Sequence, residues 1–292
     1  MVSKSCLTMA LAVLLGWAAA GAAQEDFLDI LVVKVEPEKR AAFDVAAKKI
    51  ADANRRHQGD TWIAMETIYG EQGTMTLLST RRNYAEIDKG YEVFYAAMNK
   101  AYGPATATKI LQDFNASTES SRGEVRRRRW DLSANVPSDP AALTRLIGGS
   151  RWVRTTTIRI RPGQVLHFEE QLRAAKEALE KGDDRRPVFV SQSVAGQQGT
   201  AFYISWLAKS WSDFDSIPSI PQILGPEGYR KFLANASETV EGSETVVNHF
   251  VPEISNPPEG VIAASPEFWT PKPPAVKPKG ADAGKAETKE KK

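Results

Sequence analysis

A set of short signatures occurs twice along this chain in the same order, and that duplication constrains the fold more than any other feature. Val35-Glu36-Pro37 followed by Phe43 returns as Ile160-Arg161-Pro162 followed by Phe168. Gly70-Glu71-Gln72-Gly73-Thr74 returns as Gly196-Gln197-Gln198-Gly199-Thr200, and Ser79 as Ser205. Tyr84, Glu86 and Ile87 are matched by Trp211, Asp213 and Phe214. Gly103-Pro104 pairs with Gly225-Pro226, and Asn115-Ala116-Ser117 with Asn235-Ala236-Ser237. The offset drifts by only a few residues, as loop insertions and deletions would produce.

Within each copy the periodicity predicts the same elements. Ile30 to Val35 and Thr155 to Ile160 are β-branched runs ended by a proline that suits a first helical turn. Phe43, Ala47 and Ile50, and in the second copy Val165, Phe168, Leu172, Ala175 and Leu179, fall on one stripe at helical spacing. Trp62 to Tyr69 and Met75 to Thr80 flank the first glycine turn, and Val188 to Ala195 and Ala201 to Trp206 flank the second, which predicts two hairpins. A helix marked by Ile87, Tyr91, Phe94 and Met98 breaks at Gly103-Pro104 and resumes through Ile110 and Phe114. Val125 to Leu132 and Thr245 to Val251 are the expected last strands. The order β-α-β-β-α-β is that of a ferredoxin-like unit, with an antiparallel sheet covered by helices on one face. The fold class is therefore α+β, two tandem ferredoxin-like repeats packed sheet to sheet so that neither leaves its open face in water.

In this duplication and topology the chain resembles the dimeric α+β barrel superfamily, which includes antibiotic-biosynthesis-monooxygenase-like, NIPSNAP-like and chlorite-dismutase-like proteins. The resemblance spans about Asp26 to Ser255. It implies a cavity between the open sheet faces and the elements around them, and for the chlorite-dismutase-like members a haem.

The ends divide the chain further. Lys4, the apolar run from Cys6 to Ala20 and the small residues Gly21-Ala22-Ala23 read as a signal peptide over 1–23, so the protein is expected to be exported, to a periplasm or beyond the cell. The first repeat is placed at 24–135, a linker at 136–150 and the second repeat at 151–255. The segment 256–292, rich in proline, lysine and alanine, is expected to be a largely disordered tail. Cys6 is the only cysteine, so the mature chain has no disulfide, thiolate ligand or thiol nucleophile. Hydrophobic residues make up 42% and charged residues 25%, enough apolar material to fill a core without disulfides.

The candidate site follows from strand alternation and from equivalence between the copies. Lys34 matches Arg159, Glu66 matches Gln192, and Arg129 matches His249. These residues are expected to face a polar cavity with Tyr203, Trp206 and Trp62 as its apolar wall. Glu66, Gln192, Arg159, Lys34, Tyr203 and Trp206 are the ligand-binding candidates. His249, the one histidine expected within a strand, and Arg129 are the catalytic candidates. His167 falls off the apolar stripe of its helix, and His57 lies in a polar turn. The run Arg126-Arg127-Arg128-Arg129 is split between two faces if it is a strand, which argues against a nucleic-acid patch. No spacing suits a metal, a P-loop or a nucleophile elbow.

The reading that asks least of these residues is a small apolar or amphipathic ligand held in the barrel cavity, with no cofactor. A cofactor-independent monooxygenase-like enzyme is the alternative, and a haem protein with His249 as axial ligand is the second. No nucleic-acid partner and no stable membrane insertion are expected after signal cleavage. A monomer suffices because one chain already supplies both sheets, and a homodimer is the alternative.

Overall fold

In the computed structural model, which describes residues 27–270, eight strands alternate with helices. The first half runs β1 (Phe27–Val35), α1 (Arg40–Arg56), β2 (Ile63–Tyr69), β3 (Thr74–Arg81), α2 (Ala85–Tyr102), α3 (Pro104–Ala116) and β4 (Thr118–Arg128). A helix α4 (Pro140–Gly149) leads into β5 (Trp152–Ile160), α5 (Val165–Lys181), β6 (Phe189–Ala195), β7 (Thr200–Ala208), α6 (Ile220–Thr239) and β8 (Val240–Phe250). Two short helices, α7 (Glu259–Ala264) and α8 (Pro266–Trp269), end the described chain.

Local chemistry explains the punctuation. Gly103 at φ 74° separates α2 from α3, with Pro104 opening the second helix. Gly225 at φ 68° followed by Pro226 interrupts α6 at the corresponding place. Both glycines occupy a backbone region that a β-carbon disfavours, and both prolines fit where an N–H has no helical partner.

The strands form one closed antiparallel barrel in the order β1-β3-β2-β8-β5-β7-β6-β4. Each half contributes a contiguous block, β4-β1-β3-β2 and β8-β5-β7-β6. The strands thus close the expected α+β barrel within one chain, and the two halves join edge to edge. Met65 to Tyr69 of β2 pair with β8, and Val125 to Arg128 of β4 pair with β6. Each seam satisfies backbone groups that an open edge would leave to solvent.

Alternation then sorts the side chains. Outward-facing Val33, Val35, Ala64 and Met75 pack with Phe43, Ile50, Met98 and Ile110 of the first helical layer. In the second half Phe168 and Leu172 of α5 pack with Ile160, Val190 and Phe202. Inward-facing residues line a lumen.

Two connections differ from expectation. The stretch 136–150 holds α4, whose first turn is capped by the Asp139 carboxylate accepting from the backbone N–H of Ala141 and Ala142. The stretch 256–270, expected as the start of the tail, is packed. Asn256 pairs with Trp62, Val261 and Trp269 are buried, and the Trp269 indole donates to the Gly148 carbonyl at 2.8 Å. Val261 and Trp269 supply apolar burial that proline and lysine cannot. The last strands start earlier than predicted, at Thr118 and Val240, because pairing with β1 and β5 overrides the weak strand preference of their Ser, Gly and Glu residues. The expected signal peptide over 1–23 and the rest of the expected tail, 271–292, lie outside the described residues.

Candidate functional site

All strand starts of β1, β2, β5 and β6 and all strand ends of β3, β4, β7 and β8 lie at one end of the barrel, as the antiparallel pairings require. Helix α4 lies at this end, and its Leu143 and Ile147 join Leu28, Ile63, Val153 and Leu207 in lining a cavity of about 530 Å³. At the opposite end, beside the two glycine turns, the lining is Lys34, Glu71, Thr74, Ser120, Arg122 and Glu244. The lumen is thus aliphatic beneath α4 along β2, β5 and β7, polar toward the turns, and lined by Arg126 and Arg128 along β4.

Midway along the wall is a group of charges that pairing equivalent positions of the two copies does not reveal. Glu124 of β4 is buried, its side chain fully so. Its Oε1 accepts from Arg122 Nε at 2.8 Å and from Gln197 Nε2 at 2.7 Å. Its Oε2 accepts from Arg126 Nε at 2.9 Å, from Arg126 Nη2 at 2.6 Å and from the Tyr203 hydroxyl at 3.4 Å. Burial works to raise the pKa of this carboxyl, but the charges and hydrogen bonds of Arg126 and Arg122 outweigh it and hold it below the usual carboxylate range. The Arg126 guanidinium stacks on the Tyr203 ring, 3.3 Å from its centroid. Burial pushes the Tyr203 phenol up, so it remains protonated.

The sequence-derived candidates divide between the two faces of the barrel wall. Lys34 and Tyr203 line the cavity, with Lys34 Nζ 3.0 Å from Glu71 and donating to the Gln72 carbonyl. Arg159 is exposed near the turn end and is not among the lining residues. The other candidates face outward, which corrects their expected place in the cavity wall. Glu66 pairs with Arg40 of α1, whose Nη2 donates to Oε2 at 3.0 Å. Gln192 accepts from Arg129 Nη1 at 2.7 Å, and Arg129 also binds Asp131 and Glu169. Trp206 lies near Arg154, and Trp62 is buried with its indole donating to the Ile254 carbonyl. The physical reason is parity. Ile63, Met65 and Thr67 take the inner positions of β2, so Ala64 and Glu66 must take the outer ones.

His249 is also outside. It is the register partner of both Glu66 and Trp152, its ring centroid is 4.3 Å from that of Trp152, and burial pushes its pKa down, so it is neutral at pH 7. Trp211 and Tyr69 extend this outer aromatic group.

A haem, which the superfamily resemblance implies for some members, needs an axial ligand and apolar faces. No histidine lines the barrel cavity. His167 lies in a second cleft between α5 and α6, where its Nδ1 is 3.0 Å from Gln164 Oε1. That cleft is walled by Glu170, Gln171, Lys231, Asn235 and Glu238, with only Ala174, Leu224 and Phe232 apolar, so it does not suit the porphyrin faces. Among the described residues no cluster of three or more His, Cys, Asp or Glu could hold a metal ion, and no helix is long and apolar enough to cross a membrane.

No protein-family model matches the chain, and no curated protein matches it. Solved structures do resemble it. An anthrone oxidase-like protein is 14% identical with a TM-score of 0.49, covering 78% of this chain and 92% of its own. A heme-binding protein from Thermus thermophilus is 12% identical with a TM-score of 0.44, covering 79% and 93%. Chlorite dismutase from Candidatus Nitrospira defluvii is 7% identical with a TM-score of 0.45, covering 82% and 94%. Such neighbours are of the dimeric α+β barrel kind that the sequence resembles, and at these identities the likeness concerns fold alone.

Proposed function

We propose that this chain is an exported binding protein whose barrel encloses a small amphipathic molecule, its apolar end toward α4 and its polar end toward the hairpin turns. The observation that carries this reading is the gradient along one cavity of about 530 Å³, aliphatic at Leu143, Ile147, Val153 and Leu207 and polar at Lys34, Thr74, Ser120 and Glu244. Small-molecule sites are concave and mostly apolar, with a few polar groups that fix orientation. A lumen of this size offers an alkyl chain close packing contacts along its aliphatic wall.

Binding is favoured over acid–base catalysis by the state of the interior carboxylate. Glu124 is saturated by five donors and held ionised, which makes it a poor proton acceptor. His249, the other proton-transfer candidate, is on the far side of the wall. The monooxygenase-like and haem readings therefore rank behind a carrier.

Two further statements belong to the same proposal. The halves 24–135 and 151–255 are copies of one ferredoxin-like unit, with 136–150 serving as the cap between them; the matching strand orders and the shared Gly-Pro helix breaks support this. Export rests on Lys4 and the apolar run after it. A single chain closes its own barrel, so a monomer is the expected form.

The test is displacement of an environment-sensitive apolar dye from the purified protein by dodecanol. Val246→Trp, which places an indole in the lumen, should weaken dye and dodecanol together by about tenfold or more while the circular dichroism spectrum is kept. A wild-type protein that takes up neither would end this reading.

A further inference from the structure

The geometry points to an anion as the natural occupant, a carboxylate-bearing amphipath whose head is received by Arg126 and Arg122 on β4; this rests on the amphipath reading and adds a charge requirement to it.

Strand alternation puts Arg122, Glu124, Arg126 and Arg128 of β4 on the inner face, so the arginine-rich end of this strand sends alternate guanidiniums into the lumen. Arg122 and Arg126 share the single charge of Glu124, which leaves the group with one excess positive charge inside the barrel. The Glu124 carboxylate has no capacity left, whereas the guanidiniums do. Arg122 and Arg126 each commit Nε and Nη2 to it, and among the described residues Nη1 of each carries no hydrogen bond. Arg126 keeps 15% side-chain exposure and lines the cavity, so its remaining donors open onto the lumen. A planar guanidinium placed over Tyr203 and tied to Glu124 by two hydrogen bonds is pre-oriented for a second carboxylate, so less rotamer freedom is lost on binding.

The remaining lining charges balance and leave that excess in place: Lys34 is paired with Glu71, and the Glu244 carboxylate on β8 is matched in number by the Arg128 guanidinium on β4. Thr74, which faces Lys34 across the β1–β3 ladder and lines the cavity, has a buried hydroxyl with no partner among the described residues. It is a donor at the polar end that the protein itself leaves unused.

The dimensions fit a medium alkyl chain. From Leu28 to Lys34 strand β1 rises about 20 Å, or about 15 Å along the axis of a barrel whose strands tilt by roughly 40°. Arg126, beside Leu28, and Arg122, beside Val32, line the β4 side of the lumen, which leaves the aliphatic side formed by Ile63, Val246, Val153 and Leu207 to the tail.

The experiment is isothermal titration of the full chain with dodecanoate, dodecanol and dodecylammonium at about pH 7.5, where the arginines and the ammonium are cationic and the carboxylates are ionised. Dodecanoate should bind at least about tenfold tighter than dodecanol, and dodecylammonium weakest, with the dodecanoate advantage shrinking as salt is raised. Arg126→Met should remove the advantage while dodecanol binding stays, and Arg122→Gln, at a more exposed position, should reduce it without disturbing the fold. Equal affinity for dodecanoate and dodecanol, or tighter binding of dodecylammonium, would overturn the anion requirement and leave the amphipath reading standing. Failure of all three to bind would overturn both.

Discussion

The guanidinium of Arg126 stands over the ring of Tyr203, its central carbon 3.3 Å from the ring centroid, while two of its nitrogens hold the buried carboxylate of Glu124. The three residues come from both halves of the chain, β4 and β7, and they meet inside the barrel wall near the seam where β4 pairs with β6. Gln197, in the second glycine turn, completes the group from across that seam. The contact therefore stabilises the closed barrel as well as shaping its lumen.

Glu124→Gln should destabilise the protein by about 3 kcal/mol, because it leaves two partly buried guanidiniums without their counter-charge. Tyr203→Ala should cost a similar ~3 kcal/mol through the lost ring and the void it leaves, whereas Tyr203→Phe, which keeps the stacked ring and loses only a 3.4 Å hydrogen bond, should cost under about 1 kcal/mol. Urea unfolding of the three variants checks the order, and a Tyr203→Phe variant as unstable as Tyr203→Ala would refute it.

Acid sensitivity follows from the same carboxylate. Its folded pKa is depressed, so the unfolded state binds the proton more readily. The stabilisation is complete above the unfolded pKa and is lost as pH falls through the folded one. Wild-type stability should decline from about pH 5 downward, and Glu124→Gln should decline less over that interval. Glu169, Asp131 and Asp184 are shifted the same way and will keep some acid dependence in the variant, so the quantity to compare is the difference in slope.

His249 should behave as an outer-face residue. His249→Ala is expected to leave dodecanol affinity within about twofold, since a wall of strand separates it from the lumen. Its imidazole should titrate below the usual histidine range, because burial against Trp152 disfavours the charged form before Glu66 and Glu253 offset part of that effect. A proton NMR titration of the ring measures this directly, and a raised pKa would show that the Glu66 charge dominates instead.

How much of this could be read beforehand depends on which interactions leave a trace in side-chain chemistry. The strand and helix order is written in apolar periodicity and in the Gly-Pro and Gly-x-x-Gly punctuation, and the structure follows it. The two seams are backbone pairings between β2 and β8 and between β4 and β6, and backbone groups are identical at every position, so no residue type announces them. Inner and outer faces were equally hard to tell apart, because both are covered, one by helices and one by the opposite half of the barrel. Glu66 and Met65 are each compatible with either face until the register is known. Glu66 and Gln192, read as equivalent in the sequence, each bind an arginine on the outer side. Equivalence between the halves does not mark Glu124, whose counterpart in β8 carries no comparable charge network; its sequence cue is a lone acid among alternate arginines on one strand.

The seams predict what a half chain will do. A fragment ending at Asn135 keeps β1 to β4 and the first helical layer, yet β2 and β4 lose the partners that cover their outer edges, and Ile30, Val32, Leu78 and Met65 lose the opposite wall. Unpaired edges beside an exposed apolar face promote association. Sedimentation velocity should show a dimer or larger species, and a stable monomer would mean that the first half does not need the closed barrel.

The cap formed by α4, α7 and α8 offers a separate prediction about the aliphatic end of the cavity. Trp269 is 1% exposed, packs on Phe250 and Phe268, and ties its indole N–H to the Gly148 carbonyl at the end of α4. Gly148 is required there, since a β-carbon would come within 2.5 Å of the Val261 carbonyl oxygen. Trp269→Ala should therefore loosen α7 and α8 from α4 at a cost of about 3 kcal/mol, and hydrogen exchange should rise in residues 259–270 and in α4 together while the strands stay protected. Because Phe250 and Ile147 also line the cavity, the dissociation of dodecanol should quicken more than its association slows. Unchanged exchange in α4 would show that the two segments do not act as one cap, and unchanged ligand kinetics would show that the occupant enters and leaves only through the polar end.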